Sequence, residues 1–561
     1  MLFPSVRAID DIATNILQKR YFWPNESTWE DVAKRVTNWV LGQEAPDVQE
    51  MAYNMIANRY FVPNSPCLVN AGKKDGGLIA CFVVDMLDSI EEIYRTKYEF
   101  ALIARKGGGC GTDLSHLRPR GSSVKKSVHG FAGGPVAFGN TICGDMKALT
   151  QSGFREMAMM LCCSVYHPDI LDFINAKATE GVMHTTNISV VVDNNFMNMV
   201  ENNEQYTTSF TYPDGTVQYG ETLSAKAVFD KIVDGAWRNG EPGLLFDDQI
   251  NNSPYRYTGQ KIFATNPCGE QPLPPNGCCN LGSIDLSKFI VDGNFNYPLF
   301  SKAIDLSVLF LDSVISVNSF PTPEIEQWAH NNRPVGLGIM GLADLYLQLG
   351  LAYGSNEANN LLDNILSFMY KRAVAISEYL GKRSGVPVEC RKLPTPRRNI
   401  TVTTIAPTGT ISLLAGCSNG IEPIFSELLT RQDKTGKYTI THPLHNEPHF
   451  RCAVSTNGGI EVTWQEHVQT QCVAQQHIDS GVSKTINLPN KATRQTVAKA
   501  FKLAWSLGAK GITVYRNDSR QVQVLTPKNL QKHKCPECGE DLVVEAGCEH
   551  CSCGFSLCEV S

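Results

Sequence analysis

Strand-like and helix-like stretches alternate along the middle of this 561-residue chain, and that alternation constrains its fold more than any other feature. A stretch rich in β-branched residues lies between Thr186 and Val192, and another runs from Ile400 to Ile405. Between them, residues 223–239 and Leu361–Leu380 carry apolar side chains at helical spacing. Strands that alternate with helices are typical of an α/β protein, so we predict an α/β body over residues 76–520.

The first 75 residues carry a different pattern, which predicts a helical region. Ser27-Thr-Trp-Glu30 has the spacing of a capping box, and Val32, Val36 and Val40 follow on one helical face. At the other end, residues 521–534 are polar and predict a linker. Residues 535–561 then form a separate cysteine-rich tail.

The overall composition excludes several classes of protein. Hydrophobic residues make up 42% of the chain and charged residues 19%, which is typical of a globular protein with a sizeable core. The net charge of −6 gives no basic surface of the kind that binds nucleic acid. The N-terminus lacks a secretory signal pattern, and no apolar run approaches the roughly 18 residues of a membrane span. We therefore predict a cytoplasmic protein with neither a nucleic-acid nor a membrane partner.

The 19 cysteines suggest metal binding and catalysis, because a reducing compartment does not favour a disulfide framework. In the tail, Cys535-Pro-Glu-Cys538 and Cys548-Glu-His-Cys551 have the spacing of a structural Zn²⁺ site with four thiolate ligands. Two further cysteines, Cys553 and Cys558, remain for thiol–disulfide exchange. Cys551 and Cys553 could exchange these two roles.

The most suggestive catalytic stretch is Ala264-Thr-Asn-Pro-Cys-Gly-Glu270. Asn266, Cys268 and Glu270 occupy alternate positions, so an extended backbone would place all three side chains on one face. A thiol beside a carboxylate and an amide can act as a nucleophile, a metal ligand or a hydrogen-atom donor. The alternative is a Pro/Gly turn that carries an incidental cysteine.

Two glycine-containing loops have compositions suited to close backbone approach. Lys106-Gly-Gly-Gly-Cys-Gly111 is not a dinucleotide-binding fingerprint, because Thr112 stands where the last glycine belongs, but its glycines let another backbone come near. Ala406-Pro-Thr-Gly-Thr-Ile-Ser412 offers hydroxyls and backbone N–H groups that suit phosphate. No lysine follows its glycine, so it is not a Walker A loop.

Eight motifs, taken in chain order, together resemble the catalytic subunit of ribonucleotide reductases, and the adenosylcobalamin-dependent (class II) enzymes most closely. The likeness covers roughly residues 55–558. The motifs are Asn64-Ser-Pro-Cys-Leu68, Ala80-Cys-Phe-Val83, Asn266-Pro-Cys-Gly-Glu270, Cys279-Asn-Leu-Gly-Ser283, Gly336-Leu-Gly-Ile-Met-Gly341, Pro407-Thr-Gly-Thr-Ile-Ser412, Gly420-Ile-Glu-Pro-Ile-Phe425 and Thr513-Val-Tyr-Arg516.

The resemblance implies a ten-stranded α/β barrel whose central finger loop carries Cys268. By that likeness, Cys268 becomes a thiyl radical that abstracts the ribose 3′ hydrogen. Glu270 is then the general base on the 3′-hydroxyl, and Asn266 hydrogen-bonds the sugar hydroxyls. Cys81 and Cys279 are implied to be the dithiol that reduces the 2′ position and ends as a disulfide. Cys278 adjoins Cys279 and is an alternative disulfide partner.

The likeness also implies binding sites for substrate, effector and reductant. Asp88 and Arg155 match the site for a deoxynucleotide or ATP effector, which lies at a dimer interface in many members. Cys553 and Cys558 match a C-terminal shuttle that re-reduces the catalytic dithiol and is recharged by thioredoxin or a glutaredoxin-like protein. The expected substrate-lining positions outside the finger loop and Cys81 are Ser65, Ala80, Pro407, Thr408, Gly409, Thr410, Ile411 and Ser412.

The assignment to class II depends on one difference. Members that receive a radical from a separate subunit carry two adjacent tyrosines, whereas this chain reads Tyr515-Arg516. We therefore expect adenosylcobalamin as cofactor, a ribonucleotide, most simply a diphosphate, as substrate, and a possible homodimer. The alternatives are a large subunit that receives its radical from a partner subunit, and a zinc-ribbon nucleic-acid-binding protein with an inactive barrel.

Overall fold

The computed structural model describes most of the chain. Its described residues are 2–4, 9–124, 130–147, 149–151, 155–179, 183, 186–433, 436–442, 444–455, 458–519, 525–527, 543–545, 548–550 and 556–558. Within these ranges, no helix is long and apolar enough to cross a membrane.

Helices and strands alternate along the chain. The α-helices are α1 (Asp11–Ile16), α2 (Trp29–Val40), α3 (Pro46–Ala57), α4 (Ser65–Asn70), α5 (Ile90–Lys106), α6 (Gly134–Lys147), α7 (Ile170–Ile174), α8 (Asn194–Asn202), α9 (Ala225–Asn239), α10 (Asp247–Asn251), α11 (Tyr297–Val317), α12 (Pro323–Asn332), α13 (Leu342–Gln348), α14 (Asn356–Ser384), α15 (Ile411–Ala415), α16 (Trp464–Gln475) and α17 (Arg494–Ser506). The strands are β1 (Phe61–Pro63), β2 (Cys81–Val83), β3 (Gly109–Asp113), β4 (Thr150–Gln151), β5 (Arg155–Glu156), β6 (Met159–Ser164), β7 (Thr186–Val192), β8 (Gln205–Thr211), β9 (Val217–Ser224), β10 (Gly243–Phe246), β11 (Ala264–Thr265), β12 (Pro272–Leu273), β13 (Gly277–Asp285), β14 (Ile290–Val291), β15 (Asn294–Phe295), β16 (Val335–Met340), β17 (Leu428–Asp433), β18 (Gly436–Thr441), β19 (Thr485–Leu488), β20 (Gly511–Arg516), β21 (Leu525–Pro527), β22 (Val543–Glu545), β23 (Cys548–His550) and β24 (Ser556–Cys558).

The N-terminal region is mainly helical, as its sequence pattern predicts. The capping box lies one residue later than expected: Thr28 is the N-cap of α2, and Asp31 rather than Glu30 completes the box. The shift places Trp29 on the buried face, where its indole N–H donates to the Ile56 carbonyl at 3.1 Å. This bond ties α2 to α3, because Ile56 lies in the last turn of α3.

A ten-stranded mixed sheet forms the centre of the molecule. Its strand order is β1-β13-β2-β3-β6-β7-β10-β20-β19, and β16 pairs with the other edge of β13. Two single bridges continue the sheet beyond β16, since Leu337 pairs with Thr403 and Ile405 pairs with Val482. Val482 leads directly into β19, the opposite end of the sheet. These bridges therefore close the sheet into a barrel, as the sequence resemblance implies.

The barrel separates two apolar clusters. The larger lies between the sheet and the surrounding helices and includes Phe82, Cys278 and Leu337. The smaller fills the barrel interior and includes Cys81 and Cys279. Successive residues of a strand point to opposite faces, so neighbours such as Cys278 and Cys279 belong to different clusters. The interior of the barrel is therefore where the predicted dithiol lies.

Candidate active site

A short hairpin carries the predicted catalytic stretch. Strands β11 and β12 pair antiparallel, and residues 266–271 connect them. The Gly269 N–H donates to the Asn266 carbonyl at 3.1 Å, and Gly269 has a φ of +81°, so the connection is a turn. The backbone is therefore not extended here, and the segment forms the Pro/Gly turn of the alternative interpretation. Pro267 and Gly269 favour the turn, because proline fixes φ and glycine tolerates the left-handed conformation.

Strands β3 and β7 support one side of the hairpin. A Cβ atom on Gly111 would lie 1.8 Å from the Thr265 carbonyl oxygen, and one on Gly109 would lie 3.0 Å from Pro267. The Asn187 side-chain amide donates to the Pro267 carbonyl at 2.8 Å. The glycines of the 106–111 loop thus permit close backbone approach, as predicted, and the partner is the catalytic hairpin.

The opposite wall of the barrel holds the other end of the turn. The Thr404 hydroxyl donates to the Glu270 carbonyl at 2.9 Å, and the Gly481 N–H donates to the same oxygen at 2.7 Å. A Cβ atom on Gly481 would lie 2.5 Å from the Gly269 carbonyl oxygen. Contacts from two sides therefore fix the hairpin inside the barrel.

Cys81 and Cys279 face each other across two neighbouring strands. They are directly opposed in the antiparallel pairing of β2 with β13, and both side chains belong to the interior cluster. Cys278 instead packs in the outer cluster. Opposed residues of an antiparallel pair have Cβ atoms about 4.5–5.5 Å apart, and a disulfide needs a Cβ separation near 3.5–4.5 Å. The alternative pairing through Cys278 is therefore not supported by the strand register.

Cys81 also contacts the two buried polar residues of the turn. The Asn266 amide nitrogen lies 3.2 Å from the Cys81 sulfur, and that sulfur lies 3.7 Å from a Glu270 carboxylate oxygen. Burial raises the pKa of the Cys81 thiol, and Glu270, Cys279 and Cys268 raise it further. Burial likewise raises the pKa of Cys279. Both thiols therefore remain protonated at neutral pH.

Cys268 differs from its neighbours because its side chain is exposed, whereas Asn266 and Glu270 are both only 2% exposed. Pro267, Cys268 and Gly269 border a cavity of about 1120 Å³. Strands β10 and β20 and the loop that contains Gly409 form other parts of its wall. The turn thus presents one thiol to a large open space while its amide and carboxylate face the interior dithiol.

The predicted phosphate loop begins beside this cavity. Thr408 adopts a φ of +55°, and its hydroxyl oxygen accepts a hydrogen bond from the Gly420 N–H at 2.7 Å. The Ser412 N–H donates to the Thr408 carbonyl at 2.9 Å, and Ile411 begins α15. Pro407 and Gly409 line the cavity, and Thr410 is half-buried. A bond within the loop and one from Gly420 therefore hold its conformation.

Two residues that no sequence motif indicates, Tyr21 and Arg20, contact the predicted substrate positions. A π-helix, Leu17–Tyr21, places the Tyr21 hydroxyl 2.8 Å from the Ser65 hydroxyl. Arg20 lies 3.4 Å from the Thr410 hydroxyl. Only a tertiary contact over 390 positions reveals the second pair, so no local pattern could have found it. At Ala80, another expected substrate position, the backbone carbonyl accepts a hydrogen bond from the Gly109 N–H at 2.8 Å.

The predicted effector residues are only partly described. Asp88 forms an ion pair with Arg118 at 2.8 Å, and the Arg118 backbone N–H donates to the same carboxylate at 3.1 Å. Arg155 begins the short strand β5, and its side chain lies outside the described structure.

The tail cysteines fall mostly outside the described residues. These are Cys535, Cys538, Cys551 and Cys553. Cys548 and Cys558 lie in β23 and β24, where they are register partners. A zinc site and a shuttle pair thus stay predictions.

The Tyr515-Arg516 pair separates into two environments. Tyr515 lines the same cavity as Cys268. The Arg516 guanidinium instead stacks on the Trp237 ring, with 4.3 Å to the ring centroid, and donates to the Trp237 carbonyl at 3.1 Å. The position next to Tyr515 therefore carries a charged group that packs against an indole.

Comparison with protein-family models identifies both parts of the chain. Residues 79–390 and 394–515 match the ribonucleotide reductase barrel domain, and residues 7–76 match the ribonucleotide reductase all-alpha domain. The alpha subunit of a class Id ribonucleotide reductase from Actinobacillus ureae superposes with a TM-score of 0.76 over 91% of this chain and 97% of that chain. At 21% sequence identity, that likeness concerns the fold alone.

Curated relatives narrow the assignment within the family. The vitamin B12-dependent ribonucleoside-diphosphate reductase of Thermoplasma acidophilum is 40% identical over 84% of this chain and 66% of its own length. The protein of the same name from Mycobacterium tuberculosis is 36% identical over 88% of this chain and 75% of its own length. This chain thus spans about two thirds to three quarters of those relatives. These names do not favour a radical-receiving large subunit or a nucleic-acid-binding protein, and the chain belongs to the ribonucleotide reductase family, among its vitamin B12-dependent members.

Proposed function

We propose that this chain converts ribonucleoside diphosphates into 2′-deoxyribonucleoside diphosphates by thiyl-radical chemistry, with adenosylcobalamin as its cofactor. One observation carries the proposal. Inside the barrel, Cys81 faces Cys279 and also contacts Asn266 and Glu270, and Cys268 lies in the same turn as those two residues. The choice of diphosphates follows the names of the two relatives.

The residues around Cys268 fit the proposed cofactor. The cavity of about 1120 Å³ lies at the upper end of ligand-pocket sizes, which run to roughly 1,000 Å³, and therefore suits a large ligand. Ser189, Ser483 and Asn487 line it and would hydrogen-bond the amide groups at the rim of the cobalamin ring. When bound, the cofactor supplies the radical that Cys268 needs.

The first half of the reaction activates the sugar. The Cys268 thiyl radical takes the 3′ hydrogen atom and becomes a thiol. Glu270 accepts the proton of the 3′-hydroxyl, and Asn266 orients the sugar hydroxyls by hydrogen bonding. The contacts that hold the turn support these roles. Thr404, Asn187 and the close-packed glycines fix the positions of the reacting groups before substrate enters.

The second half reduces the 2′ carbon. The 2′-hydroxyl takes one proton from the dithiol and leaves as water. Cys81 and Cys279 then supply two electrons and a second proton, so that a hydrogen is bonded to the 2′ carbon and the two sulfurs end as a disulfide, and Glu270 returns its proton to the 3′ oxygen. Cys268 then returns a hydrogen atom to the 3′ carbon, which regenerates its radical. The raised pKa of Cys81 and Cys279 supports this step, since a protonated thiol can deliver the proton that water formation requires.

The environment of Arg516 supports a radical source within the chain's own cavity. A relay from a second subunit would need a redox-active ring next to Tyr515, whereas Arg516 is a guanidinium stacked on Trp237. Tyr515 itself borders the same cavity as Cys268 and would lie beside a cofactor bound there.

An exposed apolar stripe supports a homodimer beside the effector site. Leu87, Ile90, Tyr94 and Tyr98 are between 44% and 64% exposed, and the last three lie four residues apart on α5. Residues at this spacing share one helical face. Because Asp88 lies at the start of the stripe, a second copy packed here would help to form the deoxynucleotide or ATP site at Asp88 and Arg155.

We propose that residues 535–561 form a redox tail joined by residues 521–534 to the catalytic body, residues 76–520, with residues 1–75 as the helical region. Its cysteine spacing supports a structural zinc site at Cys535, Cys538, Cys548 and Cys551. Cys553 and Cys558 would carry electrons from thioredoxin or a glutaredoxin-like protein to the Cys81–Cys279 disulfide.

Deoxynucleotide formation tests the proposal directly. The purified protein with adenosylcobalamin, dithiothreitol and a ribonucleoside diphosphate should yield the deoxynucleotide, as measured by chromatography. Cys268→Ser should abolish turnover but keep nucleotide binding, because only the hydrogen-abstracting sulfur is lost. Equal turnover without cobalamin, or an active Cys268→Ser protein, would refute the proposed function.

A further inference from the structure

We propose that Arg20 binds the phosphate groups of the substrate, as a cation that the helical region supplies to the barrel. The inference rests on the proposed function and adds a substrate ligand to it. Arg20 lies on the π-helix Leu17–Tyr21, and its guanidinium is 3.4 Å from the hydroxyl of Thr410 in the predicted phosphate loop. π-Helical turns within proteins occur frequently at functional sites.

The phosphate loop needs a cation that its own sequence lacks. Residues 406–412 contain no lysine, arginine or histidine, whereas a nucleoside diphosphate carries two to three negative charges. Hydroxyls and backbone N–H groups can bind phosphate oxygens but bring no full positive charge. A nearby guanidinium would supply that charge and could bind two phosphate oxygens at once, because its donors form a planar fork.

The lysines and the arginine on the cavity wall already have partners. Lys288 forms an ion pair with Asp285, and Lys484 forms one with Glu422 at 2.7 Å. Arg59 donates to the Leu414 carbonyl at 3.3 Å and is only 5% exposed. These side chains would have to give up buried bonds before they could bind a ligand, which is costly.

Most N–H groups of the Arg20 guanidinium can donate to a ligand. Of its five N–H groups, the one that points to Thr410 is the only one with a partner among the described residues, and no carboxylate there lies within ion-pair distance. The residue is half-buried, so it is partly ordered and still accessible. A guanidinium placed against a hydroxyl-rich loop, with donors that no described carboxylate occupies, can bind the phosphate of a ligand.

The surrounding contacts hold Arg20 at the loop. Tyr21 is 1% exposed and bonds Ser65, another expected substrate position. The preceding helix, α1, is capped by Asp10 and buries Ala13 and Ile16. Helix α1 packs on α15, which continues directly from the phosphate loop. The π-helix therefore joins two sides of the proposed phosphate site.

The test measures affinity and turnover separately. Nucleoside diphosphate binding would be measured by calorimetry in the Cys268→Ser background, with no cobalamin present, for otherwise unchanged protein, Arg20→Gln and Arg20→Lys. Lys19→Gln is the matched control, because it removes one positive charge from the neighbouring, exposed position of the same helix. The kcat and KM of the active enzyme, with Cys268 intact, would be measured for the same Arg20 and Lys19 changes.

Arg20→Gln should raise the Kd and KM for the diphosphate roughly 10- to 100-fold, the range for a lost charge-assisted hydrogen bond, with kcat within about twofold. Arg20→Lys should raise the Kd by a smaller factor than Arg20→Gln, and Lys19→Gln should change the Kd less than about twofold. An unchanged Kd in Arg20→Gln would overturn the inference. A loss of kcat or of thermal stability comparable to the loss of affinity would overturn it too, because Arg20 would then position the loop. If Arg20-intact protein neither binds ribonucleotides nor reduces them, the proposed function itself fails.

Discussion

At the residue scale, the two adjacent cysteines of β13 provide a matched comparison. Cys279→Ser should lower turnover by at least about 10²–10⁴-fold, the range expected when a proton-transfer group is lost, since the dithiol with Cys81 is removed. Cys278→Ser should keep turnover and lose about 1–3 kcal/mol of stability, because it buries a hydroxyl among apolar groups. Steady-state assays and thermal melts of both variants test this, and the reverse pattern would contradict the strand register.

His467 provides a pH-dependent prediction at the same scale. Burial lowers the pKa of His467 well below its usual 6.5, and the nearby Lys484 lowers it further. Below about pH 6.5, His467 is protonated in the unfolded chain but stays neutral in the folded protein. Protonation therefore favours unfolding, so the contribution of His467 to stability is present above pH 6.5 and is lost as the pH falls.

His467→Leu should therefore reduce the acid sensitivity of the protein. The wild-type free energy of unfolding should fall by up to about 1.4 kcal/mol per pH unit below pH 6.5 through this group alone. The leucine variant has no group that titrates there. Neither ring nitrogen of His467 has a hydrogen-bond partner among the described residues, so the variant should lose little stability at neutral pH. Denaturant titrations at pH 7 and pH 5.5 compare the two, and parallel pH profiles would count against the assignment.

At the scale of elements, the hairpin β11–β12 depends on a glycine in its neighbour. In Gly111→Ala, the new methyl group would lie 1.8 Å from the Thr265 carbonyl oxygen, so the hairpin must move. A shift of about 1 Å at reacting groups can cost roughly 10²-fold in rate, and we expect that loss here.

Gly144→Ala is the control for that change. Gly144 lies in α6, and a Cβ atom there would meet no heavy atom within 4 Å. Alanine should stabilise the helix by roughly 1 kcal/mol and leave turnover unchanged. Activity and melting temperature of both variants are the measurements. Full activity in Gly111→Ala would show that the hairpin tolerates displacement.

The elements also show what the sequence could predict. Strand β7 has the predicted bounds of Thr186–Val192, and α14 contains the predicted helix, because both follow from local β-branching or apolar spacing. For residues 266–271 the sequence left two interpretations open, an extended segment and a Pro/Gly turn, because alternation of residue types does not reveal the carbonyl and glycine contacts that bend the backbone. The pairing of Cys81 with Cys279 followed from the family resemblance, and no spacing within the chain could have supplied it.

At the scale of the whole molecule, the site gathers residues from distant parts of the chain. The helical region supplies Tyr21 and Ser65, β2 supplies Cys81, the hairpin supplies Cys268, and the loop before α15 supplies Thr410. Closure of the barrel by the bridges at Thr403 and Val482 brings these segments together. Arg20 is separated from Thr410 by 390 positions, and only the completed fold makes their contact.

The cysteines of the tail, residues 535–561, are a further part of the chain proposed to act at the site. Turnover measured with two different reductants tests that role. Strand β20 borders the cavity through Tyr515, and β21 (Leu525–Pro527) pairs with β17. From Pro527 to Cys553 there are 26 positions, which span at most about 90 Å when extended. That chain length permits the proposed shuttle pair to approach the interior dithiol. Dithiothreitol is small enough to enter the cavity, whereas thioredoxin is a folded protein.

Cys558→Ser should accordingly keep its turnover with dithiothreitol and lose at least roughly 10²-fold with thioredoxin, because only the protein reductant needs the relay of thiol–disulfide exchange. Ser556→Ala, two positions earlier in β24, is the matched control and should be active with both reductants. Rates with each reductant give the answer. If Cys558→Ser loses turnover equally with both reductants, Cys558 has a structural role in the tail. If it keeps turnover equally with both, Cys558 does not carry electrons to the dithiol.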